Sequence, residues 1–229
     1  MHESPRTKHL ARASSVLPLA VFALACAAVP ETAAGGVFRF ELPWAPGLGV
    51  NLAFLADGLS VLFVLIASLV GFFVSVYAVD YLHGHGHTGR FFVFLHAFML
   101  SMVGLVTADN VIALFVFWEL TTIFSFLLIG FEHDRPEARR SARQALLVTG
   151  AGGLALLAGF LLLKGMAGTY AMSEMIAVSD AMQHHPLYGP VLLLLFLGAF
   201  TKSAQFPFHF WLPDAMAAPA PISAFLHSA

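Results

Sequence analysis

The sequence predicts an all-α fold, a polytopic transmembrane helix bundle. Three observations carry that prediction: the composition, the length of the apolar runs, and the alternation of basic residues between them. Of the 229 residues, 59% are hydrophobic and only 10% are charged, with a mean hydropathy of +0.83. A soluble domain carries about 25% charged residues, so this chain lacks the charge to cover a water-facing surface. Its apolar residues fall into six runs, Ser14–Val29, Leu55–Tyr77, Phe91–Val106, Val111–Phe131, Ala145–Leu163 and Val191–Phe206, and a partial seventh from Pro219 to Ala229. Most approach the ~20 residues that cross a hydrocarbon core. No period-2 alternation accompanies them, so the backbone must be satisfied within helices rather than in a barrel. The expectation is one transmembrane domain over residues 1–229, with about six full spans, a partial seventh and a cytoplasmic N-terminal segment over 1–13.

Basic residues orient the bundle. Arg6, Lys8 and Arg12 precede the first run, Arg90 precedes the third, and Arg135, Arg139, Arg140 and Arg143 separate the fourth from the fifth. The alternate connections are poor in Lys and Arg: Glu31, Arg39 and Glu41, then Asp109, then Lys164, Glu174 and Asp180. Positive charge stays on the cytoplasmic side, which puts the N-terminus and the connection 132–142 inside. The basic start and the small residues Ala25, Cys26 and Ala27 also fit a cleaved signal peptide. An uncleaved first helix agrees better with the later loops.

The same composition excludes several functions. A net charge of −2 and the absence of a dense basic stripe leave no surface for nucleic acid. A single cysteine, Cys26, rules out an internal disulfide or a Cys-paired metal site. His83, His85 and His87 form a short tract without the helical spacing of a metal site, and Gly84, Gly86 and Gly89 match a dinucleotide-binding pattern only formally, lying between two membrane helices. No cofactor, no metal and no enzymatic chemistry is expected.

Ionisable residues inside the runs carry the functional reading. Glu119 lies ~12 Å into its helix at 1.5 Å per residue, near mid-membrane. A charge there costs roughly 2.5–3.5 kcal/mol on insertion scales, so it marks a functional site more often than a protonated structural glutamate. Thr122 shares its face, and Ser125 follows. Lys202 closes its run with Gly198, Ala199 and Gln205 on its face, small or polar residues that admit a neighbouring helix. Snorkelling from a helix end is the alternative. Pro207 and Pro213, with Pro219 and Pro221, predict a broken helix near Lys202, the arrangement found at transporter ion sites. Asp214 is expected in a cytoplasmic loop. Histidine's ordinary titration range lies near neutrality, which makes His227 a candidate for a proton relay. Ala151, Ala155 and Gly159 form a small-residue ladder that predicts a helix-packing face.

Two segments, FWELTTIFSFLLIGF from Phe117 to Phe131 and TKSAQFPFHFWLPDAMAAPAPISAFLHSA from Thr201 to Ala229, resemble the A-type subunit of the Mrp-type multisubunit Na+/H+ antiporters. The resemblance is looser to the membrane subunits of respiratory complex I and of membrane-bound hydrogenases, which tend to have WEG where Trp118, Glu119 and Leu120 stand. It implies a charge pair between Glu119 and Lys202, continued by His227 along a polar axis for protons and monovalent cations. It also implies a multi-pass protein of a bacterial cytoplasmic membrane, in contact with the lipid bilayer and the other membrane subunits of an Mrp-type complex. The family has about fourteen helices, including two inverted five-helix repeats, and by resemblance this chain corresponds to the first repeat, from the family's second helix into its eighth. A truncated or assembly subunit without transport is the reading from a different class.

Overall fold

The computed structural model describes residues 14–82, 86–216 and 218–228. The N-terminal segment 1–13, with Arg6, Lys8 and Arg12, and the loop residues His83, Gly84 and His85 lie outside the described residues. Helix α1 spans Val16–Ala33, α2 Gly58–Tyr81, α3 Thr88–Thr107, α4 Val111–Ile129, and α5 Pro136–Ala167. All five are long and apolar enough to cross a membrane. Two short helices follow, α6 (Met172–Ala177) and α7 (Ser179–Gln183), then α8 (Tyr188–Lys202), α9 (Trp211–Ala215) and α10 (Ala220–Ser228). The chain is an all-α, polytopic membrane bundle.

Local sequence sets the helix ends. Asp57 opens α2 in a reciprocal capping box: its Oδ1 accepts from the Ser60 N–H at 2.8 Å, and its own N–H donates to Ser60 Oγ at 2.8 Å. The hydrogen bond from the Ser60 hydroxyl, then that from its amide, hold the Asp57 carboxyl below the ordinary carboxylate range. Asn110 caps α4 by accepting from the N–H groups of Ile112 and Ala113.

In lipid the usual burial logic inverts. Leu62, Phe73, Leu147, Leu154 and Leu193 point outward, because hydrocarbon rather than water surrounds them. Helices then associate through close packing at small residues. A core of Ala78, Leu82, Phe91, Leu95, Met99 and Leu128 joins α2, α3 and α4, and Ile222 and Phe225 bring α10 back onto it. Helix α5 packs along α8 through glycines: a Cβ at Gly198 would stand 2.8 Å from Leu156 Cβ and 3.0 Å from the Gly152 carbonyl, and one at Gly159 2.9 Å from Leu195. Of the expected ladder of Ala151, Ala155 and Gly159, Gly159 packs against α8 as expected, while Gly152 and Leu156 take the places of the two alanines. Ala151 is exposed, whereas Gly152, Leu156 and Gly159 are buried.

Three further expectations change. The run Val191–Phe206 yields only a 15-residue helix, about 22 Å long at 1.5 Å per residue. Among the described residues five helices are thus of full spanning length, where about six are expected. The break also comes before the prolines. Ala204 adopts φ 52°, and the Gln205 N–H reaches back to the Phe200 carbonyl at 2.9 Å, a Schellman closure with alanine in the seat usually held by glycine. Pro213 sits inside α9, at a first-turn position where no N–H donor is required, and so breaks nothing; Asp214 lies in the same helix instead of a loop. Finally, connection 132–142 is mostly helix: α5 starts at Pro136, which places Arg139, Arg140 and Arg143 in its first turns and buries Ser141. Proline at the first helical position explains the early start.

Sequence patterning missed a two-stranded antiparallel hairpin, β1 (Phe38–Ala45) with β2 (Val50–Ala56). Alternation does show in β1, where Arg39 and Glu41 separate Phe38, Phe40 and Leu42, but β2 is nearly all apolar and runs straight into the next span. The hairpin closes one end of the bundle around Asp109, whose carboxylate accepts from the Ser173 N–H (2.8 Å) and Ser173 Oγ (2.7 Å) and stands 3.6 Å from Arg39. The opposite end gathers Arg90, Phe131 and the start of α5, where Arg90 Nη2 donates to the Phe131 carbonyl at 3.1 Å.

Candidate functional site

Lys202 is the last residue of α8, and its side chain crosses to α4. Nζ donates to Thr121 Oγ1 at 2.7 Å, to Thr122 Oγ1 at 2.8 Å and to the Trp118 carbonyl at 3.3 Å, and lies 5.2 Å from the Trp118 ring centroid. Both threonine hydroxyls also donate to the Trp118 carbonyl, at 2.7 and 3.2 Å. Their protons are thereby turned away and their lone pairs face the ammonium. Two hydroxyl oxygens, a carbonyl oxygen and an aromatic face make this a cation seat.

The backbone around the lysine is held independently. Trp211 Nε1 on α9 donates to the Thr201 carbonyl at 2.9 Å, which fixes the frayed end of α8 beside the seat. Gly152 on α5 admits the Thr201 side chain, since a Cβ there would overlap Thr201 Oγ1 and stand 2.7 Å from Thr201 Cβ.

Glu119 projects to a different neighbour. Its carboxylate lies against the backbone of Gly153 on α5, where an added Cβ would overlap Oε1 and stand 3.0 Å from Cδ. Oε1 is buried and has no hydrogen-bond partner. Among the described residues no ion pair joins Glu119 to Lys202; the lysine is satisfied by the threonines instead. Each charge still acts electrostatically on the other.

Lys202, Thr121, Ser125, Thr149 and His227 line one cavity of about 190 Å³ between α3, α4, α5, α8, α9 and α10. The structure therefore brings Lys202 and His227 to a common space. Glu119, turned toward Gly153, is not among the lining residues. Pro207 lines a separate, more open hollow with Gly152 and Thr201, and Pro213 lines neither.

Sequence reasoning missed Thr121 and Gly153. The signal for the first is the Thr-Thr doublet in an otherwise apolar run; for the second it is the Gly152-Gly153 pair in a spanning helix. His96 was also missed: it lies half-buried in α3, 3.3 Å from Ser75 Oγ and stacked on Phe92.

Residues 108–229, more than half of the chain, match the sequence profile described as NADH:quinone oxidoreductase/Mrp antiporter, TM. The chain belongs to that family. Residues 44–92 match a second profile, NADH-Ubiquinone oxidoreductase (complex I), chain 5 N-terminus. Relatives in this antiporter family include a probable K(+)/H(+) antiporter A/B-type subunit of Rhizobium meliloti (strain 1021), 47% identical over 94% of this chain and 22% of its own. The A-type Na(+)/H(+) antiporter subunit of Alkalihalophilus pseudofirmus is 45% identical over 93% of this chain and 27% of its own. The chain thus spans about a quarter of the length of the curated relatives it matches. Among solved structures, a chain of the Mrp complex from Dietzia sp. DQ12-45-1b superposes with a TM-score of 0.83 at 40% identity, over 97% of this chain and 24% of that one. The Lys202 seat, α4 and the Trp211 clamp all fall within the matched antiporter-family profile.

Proposed function

We propose that this chain supplies part of the ion path of a multisubunit monovalent cation/proton antiporter in a bacterial cytoplasmic membrane, serving secondary transport and not enzymatic chemistry. The observation that carries this reading is the Lys202 seat, an ammonium held by two hydroxyls and a carbonyl beside a cavity that also reaches His227. In this reading Lys202 and Glu119 load and release protons, and His227 hands them on from the cavity. Deprotonation of Lys202 frees three oxygen acceptors, while a proton on Glu119 neutralises an otherwise orphaned oxygen. Neither step needs a bound cofactor.

A second reading has specific support. Both matching profiles name NADH:quinone oxidoreductase or its ubiquinone counterpart, so a proton-pumping subunit of a complex I or hydrogenase relative would use the same core. The WEL sequence at Trp118–Leu120 and the names of the relatives favour the antiporter.

Inverted vesicles holding the complex distinguish the two. With a pre-formed pH gradient, addition of NaCl or KCl should dissipate it, and electron donors such as NADH should have no effect through this complex. Acidification driven by an electron donor, with no response to either salt, would move the assignment to the pumping subunit.

A further inference from the structure

At the arginine-bearing end of the bundle, α3, α4 and α5 enclose a cavity of about 390 Å³ that plays no part in the site above. Arg90, Arg139 and Arg143 line it with His133, and no carboxylate does. Of the acids on the adjoining loop, Glu132 is paired with Arg135 at 2.9 Å, and Asp134, itself exposed, stands 3.7 Å from His133 Nε2. Three guanidinium groups bordering one half-open space favour an anion between them, although solvent screens the exposed Arg139 and Arg143 in its absence.

Their donors are largely unspent. A guanidinium carries five N–H groups. Arg90 uses Nη2 on the Phe131 carbonyl and stacks 5.1 Å from that ring's centroid, yet its Nε is buried without a hydrogen-bond partner. Arg139 uses Nη1 on the carbonyls of His133 and Asp134, and Arg143 uses Nε on the Arg139 carbonyl. A tetrahedral anion accepts from several such forks at once.

We propose that this cavity binds the phosphate of an anionic phospholipid. Below the arginines the wall continues with Phe94, Phe126 and Leu127 along α3 and α4. A free phosphate would leave that apolar wall without an occupant, whereas a lipid lays its acyl chain on it. The three arginines stand at helix ends, the depth at which head groups lie, and basic pockets between membrane helices favour such head groups. The lipid bridges α3 to α5 and holds the end of α4 through Arg90.

The test uses the full chain in its purified complex, in detergent, with phosphatidylglycerol, phosphatidylcholine or inorganic phosphate added in turn. Phosphatidylglycerol should be retained in native mass spectra and should raise the thermal midpoint, while phosphatidylcholine should do neither. Arg143→Gln, at an exposed position that should still fold, should lower phosphatidylglycerol retention by about tenfold, the scale of one charge-assisted contact. Arg140→Gln removes the same charge from the same helix outside the cavity and should leave retention unchanged. Equal losses in the two variants would reduce the effect to general surface charge and overturn the proposal. Inorganic phosphate that stabilises the complex as strongly, with lipid retention insensitive to Arg143→Gln, would overturn the lipid as occupant and assign the cavity to a soluble anion. No stabilisation by either would overturn the site altogether.

Discussion

Lys202→Ala should reduce cation-dependent proton flux by roughly 100-fold or more, the scale of losing a proton-transfer group, while the complex still assembles. The seat explains both halves. Removing the ammonium leaves Thr121 and Thr122 bonded to the Trp118 carbonyl, so no buried donor is orphaned. The α5–α8 contact rests on Gly152, Leu156, Gly159 and Gly198, not on the lysine. Lys202→Arg separates two roles. A guanidinium keeps its charge at any accessible pH, so it could fill the seat but could not release a proton. If Lys202 must cycle between charged and neutral forms, the arginine variant fails as the alanine variant does. Near-normal flux with arginine would reduce Lys202 to a fixed charge. Flux per assembled complex, measured in vesicles, decides.

The two adjacent glycines of α5 should give opposite phenotypes under the same small change. Gly152→Ala drives a methyl into the β-branched Thr201, whose Cβ would lie 2.7 Å away. Rotating the side chain cannot relieve that, so α8 must shift. Overpacking of this kind costs about 1–3 kcal/mol, and the expected result is lost assembly with flux falling in proportion. Gly153→Ala instead meets the flexible end of Glu119. The carboxylate can swing aside, so the complex should assemble at normal abundance and transport poorly. Equal abundance and equal flux in both variants would show that neither glycine positions the site.

Most of the bundle was legible because apolar runs bounded by polar connections have few solutions in lipid. The runs from Leu55 to Val106 predicted α2 and α3 to within four residues at each end. The errors arose where a backbone feature outranks composition. Ala204 in the left-handed region stops α8 at Lys202, five residues before Pro207, and nothing in an alanine announces that. Pro136 starts α5 early, so the arginines that looked like a loop ride on a helix. The hairpin at residues 38–56 hides because β2 is nearly as apolar as a span and merges with the run that follows it, although Arg39 and Glu41 in β1 do alternate with apolar residues. In the site, Glu119 and Lys202 stood out as rare intramembrane charges, and the resemblance implied that they pair. Spacing could not show that the lysine reaches Thr121 and Thr122 instead, because that depends on where α8 ends relative to α4.

If ions exchange through the cavity shared by Lys202 and His227, chemical block of that cavity stops transport. Ser125 lines it and donates only to the Thr122 carbonyl at 2.9 Å. In a Cys26→Ala background, Ser125→Cys should retain transport until a small, positively charged thiol reagent is added, and flux should then fall to background. Leu154→Cys, on the lipid-facing side of α5, serves as the control and should transport normally after the same treatment. Undiminished flux in the Ser125→Cys complex, once mass spectrometry shows complete modification, would place the ion path elsewhere and contradict the account.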